Sequence, residues 1–204
     1  MAVFLDLDET LIHSVSVRRL GWVEEPYPKL DFTVEERGVL SAVLSSGKPR
    51  TDSMRKKLSY RLSAYKRTVI PGFIICWRPN VRWFLNNLFL RGYSINVWTA
   101  ASEEYAKDVV KALGLSRYNL NIVLSASDSV TKSYKRLTLL VSLGVVDYPL
   151  KKMVIVDDRE DVKAQQPGRC VRIRPFKIPN TFTPCDERAE FGRVLGKISD
   201  LLDN

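Results

Sequence analysis

MAVFLDLDETLIHS, residues 1–14, opens the chain. A short apolar run, Ala2 to Leu5, leads into two carboxylates, Asp6 and Asp8, and then Thr10. Alternate residues of a strand point to the same side. The spacing therefore predicts a buried strand whose end presents Asp6 and Asp8 to one pocket. Two carboxylates held together repel unless a cation or a shared proton offsets them. A divalent cation answers this, and hard oxygen ligands favour Mg²⁺. An Asp pair in a solvated turn after a strand is the plain structural alternative.

The rest of the chain is bounded by size and composition. Its 204 residues suit a single domain with room for an insertion. A 45% hydrophobic content supports a sizeable core. No stretch reaches the roughly 18 consecutive apolar residues of a membrane span. The N-terminus has no basic region ahead of its apolar run, so no signal peptide is expected. Cys76, Cys170 and Cys185 lie far apart with no CxxC pair, which predicts neither a disulfide scaffold nor a zinc site. An intracellular protein, nuclear or cytoplasmic, fits these features. His13 is the sole histidine, so chemistry must rest on carboxylates, lysine and hydroxyls. The net charge is +9, and the segment 48–67 carries much of the excess, with Asp52 its sole acid. Such a stretch attracts phosphorylated partners or nucleic acid, unless it is a solvated helix face or loop.

Strands and helices alternate beyond residue 77. Apolar spacing predicts helices over 81–90, from Ser102 to about Leu113, over about 133–143, near 161–165 and over about 186–202. Between them, 93–98, 121–124, 153–156 and 170–173 read as strands. This alternation predicts an α/β fold with a parallel sheet covered by helices on both faces. Ligands of such folds bind outside the carboxyl ends of the strands. Residues 15–76 break the pattern and read as an insertion after the first strand. Strand pieces are expected at 29–34, 38–44 and 68–77, with a basic helix at 53–65.

Three further places carry matching chemistry. Thr99-Ala100-Ala101-Ser102 follows a strand, where a hydroxyl and free N–H groups can cradle phosphate. Asp157-Asp158 follows another strand and can complete a metal site. Lys135 lies between them in the chain and can offset nucleophile and phosphoryl charge, with Lys132 a competitor.

DLDETLIHS, then Thr99, Lys135 and VDDRED at 156–161 resemble, in order, the four motifs of the haloacid dehalogenase (HAD) superfamily. The first and fourth are similar to those of the FCP/SCP-type phosphatases of the RNA polymerase II C-terminal domain. Arg78-Pro79 resembles the Arg-Pro before the second motif of that group. The resemblance implies a HAD-like, Rossmann-type sheet, an Mg²⁺ cofactor and a phosphorylated protein or peptide as substrate. It implies Asp6 as nucleophile and Asp8 as general acid and base, with the Asp8 main-chain carbonyl also on the metal. Thr99 would bind phosphoryl oxygens, and Lys135 would orient Asp6. Asp158 would bind Mg²⁺ directly and Asp157 through water. Thr10, Ala100 and Arg78 complete the expected substrate-binding set, Thr10 by supporting the loop, a structural role rather than a chemical one. Trp22, Tyr27 and Trp77 could line a peptide groove, although Trp77 is as readily a core residue. A nucleic-acid end phosphatase using segment 48–67 and a non-catalytic binding module are the competing readings.

Overall fold

The computed structural model describes residues 1–16, 64–128, 135–178 and 186–203. Eight strands are present among them: β1 (Ala2–Leu5), β2 (Ile12–Ser16), β3 (Arg67–Ile70), β4 (Phe73–Trp77), β5 (Ser94–Trp98), β6 (Leu120–Leu124), β7 (Met153–Asp157) and β8 (Cys170–Arg172). The helices are α1 (Val81–Leu90), α2 (Glu103–Leu113), α3 (Leu137–Ser142), α4 (Glu160–Gln165) and α5 (Arg188–Leu202).

Five strands form a parallel sheet in the order β6-β5-β1-β7-β8. Its central strands are buried on both faces: β1 is wholly apolar, β7 is apolar up to Asp157, and β5 buries Ser94 and Asn96 among its apolar residues. Val3, Leu5, Ile95, Val97, Val154 and Val156 join one core with buried residues of α1, α2 and α5. Phe4, Trp98, Met153 and Ile155 join a second with Leu137, Leu140 and Val162 of α3 and α4. Phe84 of α1 stacks on Phe191 of α5 with ring centroids 4.5 Å apart. Helix ends follow local chemistry. The Ser102 side chain accepts from the Tyr105 N–H at the start of α2, and Gly114 ends that helix at φ 65°, a conformation that costs glycine little.

The stretch after β1 begins and ends in a second, antiparallel sheet, β2-β4-β3. Residues 15 and 76 thus both lie inside paired strands. The single strand expected over 68–77 is a hairpin, turned at Gly72 with φ 81°. Ala64 and Tyr65, expected to end a basic helix, lie in a turn and a bend. The strand pieces expected at 29–34 and 38–44, the rest of that helix, and segment 48–67 up to residue 63 lie outside the described residues. Lys132, Trp22 and Tyr27 do so as well. Trp77 is a core residue, 5% exposed.

At the β8 edge, side chains take the outward backbone groups. Lys163 donates to the Cys170 carbonyl (2.8 Å), and Arg193 to that of Arg172 (2.7 Å). The Arg174 N–H donates to Glu190 (2.7 Å). An edge capped this way offers little to an incoming strand. Glu190 also accepts two bonds from Arg193, at 2.7 and 2.9 Å. Arg193 first, and then the Arg174 N–H, hold its carboxyl down to about 2 against the opposing effect of burial. A depressed carboxylate stabilises the fold above its unfolded pKa, and that contribution is lost as pH falls through the folded value. Glu190→Gln is therefore expected to lower stability by about 1 kcal/mol at neutral pH. The difference should close as pH falls from about 4.5 to about 2. Urea midpoints of both proteins across that range measure it.

Candidate active site

Strand order brings the site together. β1 lies between β5 and β7, so the chain leaving β1 at Asp6 runs between the ends that carry Thr99 and Asp157. The Asp6 N–H continues the ladder to the Val156 carbonyl (3.0 Å). Lys135 reaches in from the segment before α3. Its Nζ donates to Asp6 Oδ1 (2.5 Å) and to Asp157 Oδ2 (2.7 Å). All three are nearly or fully buried, at 5% exposure for Lys135, 6% for Asp6 and 0% for Asp157. Asp157 Oδ1 accepts the Arg159 N–H (2.9 Å), which fixes that carboxylate at the start of α4. No described donor takes Asp6 Oδ2.

The electrostatics call for a second cation. Burial raises Asp6 to about 7; Lys135 opposes this, and Asp157 and Asp158 add to it. Asp158 is also raised, by burial and then by Asp157. Burial disfavours the charge on Lys135, but Asp6 and Asp157 outweigh it and lift its pKa above the ordinary value. One ammonium thus faces three carboxylates. One oxygen each from Asp6, Asp157 and Asp158 lie within 4.8 Å of one another. An all-oxygen set of this charge fits a hard divalent cation such as Mg²⁺.

Asp8 lies beyond the end of the strand. β1 ends at Leu5, and the chain turns at once. The Leu7 carbonyl accepts N–H groups of Thr10, Leu11 and Ile12, and Glu9 sits at φ 59°. Asp8 therefore leaves the three-carboxylate cluster. Its Oδ1 instead accepts Ser14 Oγ (2.8 Å) and the Tyr105 hydroxyl (2.6 Å). Burial, and then the Asp8 charge, raise the Tyr105 pKa strongly, which keeps its hydroxyl a donor. Oδ2 of Asp8 has no described donor.

Thr99 is 2% exposed and its Oγ1 accepts the Ala101 N–H (3.1 Å). Accepting there leaves its own proton to donate. Ala100 beside it is exposed. Two residues of the expected substrate-binding set are buried, which suits the loop support expected of Thr10 but not contact between Arg78 and a substrate. Thr10 is 0% exposed and Arg78 1% exposed. Arg78 lies beneath the Asp8–Thr10 turn. It donates to the Thr10 carbonyl (3.0 Å) and the Glu9 carbonyl (3.4 Å), and pairs with Glu187 (2.8 Å). A cation enclosed by carbonyls and a carboxylate buttresses the turn and has no face toward a ligand. Phe176 strengthens the same turn, its N–H donating to the Glu9 carbonyl (2.6 Å).

Four supporting residues escape a reading of the sequence. Tyr105 and Ser14 are both legible in principle, one in the first turn of the helix after Thr99 and the other inside the opening motif. Gln166 and Glu187 carry no local signal. The Gln166 side chain clips the Lys135 segment at both ends, donating to the Lys135 carbonyl (2.5 Å) and accepting the Leu137 N–H (3.0 Å).

The family model described as NLI interacting factor-like phosphatase matches residues 1–190. The chain belongs to this family. As an NLI interacting factor-like phosphatase it is 51% identical over 201 residues to the uncharacterized protein 037R of Frog virus 3 (isolate Goorha), covering 98% of this chain and 96% of that one. It is 27% identical over 143 residues to the CTD phosphatase-like protein 355R of Invertebrate iridescent virus 6, covering 64% and 75% of the two chains. The structure of the fission yeast RNA polymerase II CTD phosphatase Fcp1 superposes with a TM-score of 0.55 at 20% identity, over 98% of this chain. The chain spans 50% of the length of that structure. The fold is therefore HAD-like, as the motif order implied. No helix among the described residues is long and apolar enough to cross a membrane.

Proposed function

We propose that this protein is an Mg²⁺-dependent phosphatase that forms an aspartyl-phosphate on Asp6 and acts on phosphoserine or phosphothreonine in proteins. The observation that carries this reading is the bridge from Lys135 to Asp6 and Asp157, at 2.5 and 2.7 Å, inside a cluster of three carboxylates. Lys135 holds Asp6 by Oδ1 and leaves Oδ2 to attack phosphorus. Thr99 donates to the phosphoryl oxygens. As the P–O ester bond breaks, Asp8 gives its proton to the leaving oxygen. Asp8 then takes a proton from water, which attacks phosphorus and frees Asp6. Mg²⁺, held by Asp6, Asp158, the Asp8 carbonyl and Asp157, directly or through water, would offset the carboxylates and polarise the phosphoryl group.

The protein substrate is supported by the relatives, since 355R is named CTD phosphatase-like and Fcp1 an RNA polymerase II CTD phosphatase. It is also supported by the short path between Thr99 and Lys135. α2 and β6 occupy most of it and leave no length for a large cap. Open sites suit macromolecular substrates.

The test is phosphate release from p-nitrophenyl phosphate and from phosphoserine peptides, with Mg²⁺ and with chelator. Metal-dependent release from both is expected. Release from the aryl phosphate but from no peptide would overturn the protein-substrate reading, and no release from either would overturn the enzyme reading.

Tyr105 gives a finer check. Phenylalanine there removes one of the two donors on Asp8 Oδ1 and leaves Ser14. General acid–base groups contribute about 10²- to 10⁴-fold, so partial loss of orientation is expected to lower kcat roughly tenfold. KM for an aryl phosphate should barely change, which steady-state kinetics will show.

A further inference from the structure

A groove of about 600 Å³ runs between β8 and α5, to one side of the catalytic cluster. Lys163, Arg172, Arg174, Arg193 and Lys197 line it, against the two acids Glu190 and Asp200. Arg172 joins the groove to the site, its Nε donating to the Asp158 carbonyl (3.3 Å) while its guanidinium pairs with Glu160. Three of the groups that line it, Lys163, Arg193 and Glu190, are spent on the β8 edge. The groove is therefore ill suited to take a peptide as an added strand. What it offers a ligand is exposed positive charge. The Arg174 side chain is 64% exposed and reaches Glu187 only at 3.5 Å. Lys197 is exposed, on the turn of α5 after Arg193 and one turn before Asp200.

We infer that this groove receives the acidic side chains flanking the phosphorylated residue of a peptide substrate. The inference rests on the phosphoprotein reading above and adds a preference to it. The catalytic cluster, with three carboxylates and one lysine, repels an acid-rich chain. A cationic groove that begins at Asp158 offsets that repulsion where the flank of the substrate leaves the site. Recognition is by charge rather than by backbone pairing, so it should tolerate sequence change and weaken with salt.

Two measurements test it. The first compares kcat/KM for phosphoserine peptides with acidic and with neutral flanks, in wild type, Lys197→Glu and Arg174→Gln/Lys197→Glu. The acidic peptide is expected to be favoured about tenfold at low salt, through KM. The preference should vanish in the double variant and at high salt, with p-nitrophenyl phosphate turnover unchanged. An absent preference, or one that survives in the double variant, would overturn the inference. The second measures fluorescence anisotropy of the acidic peptide with unphosphorylated serine, which needs no turnover. Binding that Lys197→Glu weakens supports the groove even if no peptide is hydrolysed, so failure of the phosphoprotein reading stays distinguishable. No binding, or tighter binding of an oligonucleotide at the same residues, would overturn the inference.

Discussion

Alanine at Asp6 or asparagine, its nearest isostere, is expected to abolish turnover, and Asp6→Asn is the sharper test because it keeps the shape. Loss of a covalent nucleophile costs on the order of 10⁶-fold. Asn retains an oxygen for Lys135, and Asp157 still pairs with that lysine, so the site stays filled. Stability should move the other way. Burial raises Asp6 to about 7 from 3.8, so its contribution is present at low pH and lost as pH rises through the folded value. Asparagine has no charge to desolvate. In chelator, the variant should be the more stable protein at about pH 8, and the gap should narrow toward about pH 4. Phosphate release together with denaturant midpoints at both pH values decides it. An inactive variant that is also unstable at alkaline pH would place Asp6 in the scaffold rather than in the chemistry.

Replacing Lys135 by alanine is expected to damage both function and fold. Lys135 is the described cation that bridges Asp6 and Asp157, both buried. Removing one partner of a buried pair costs about 3–5 kcal/mol because the remaining charge is left uncompensated. Losing a group that stabilises developing charge costs on the order of 10²-fold or more in turnover. The two effects separate with Mg²⁺. A divalent cation at the carboxylates would replace part of the missing charge, so Mg²⁺ should stabilise Lys135→Ala more than it stabilises the wild type. Turnover should stay low, because the lysine that holds Asp6 Oδ1 is gone. Equal stabilisation of both proteins by Mg²⁺ would mean that the metal and Lys135 do not share these carboxylates.

Much of the framework is legible in the amino-acid sequence. The helix at 81–90 and the Gly114 stop follow from apolar spacing and helix-end chemistry, which are local. The strand read at 153–156 follows from a continuous apolar run, because a parallel sheet covered on both faces needs no polar side, and the one read at 93–98 is found over 94–98. β2 is not legible in this way. Ile-His-Ser-Val-Ser has one fully buried residue, and its partner β4 lies across the long stretch after it. Its pairing is a tertiary event with no short-range signature.

The site divides along the same line. Local sequence dictates where the candidate residues lie and in what order they meet the strand ends, because carboxylates after apolar runs are a local pattern. How those residues are held is set by contacts between distant parts of the chain. The turn after β1 keeps Asp8 out of the three-carboxylate cluster, and Tyr105 of another helix donates to it. Arg78 and Glu187, far apart in the chain, meet beneath that turn, and Gln166 clips the backbone at Lys135. The β8–α5 groove, likewise, exists only where an edge strand and the last helix run side by side. Charge and hydrogen-bond partners of this kind are matched across space, and a linear pattern holds no record of which buried group will need which neighbour.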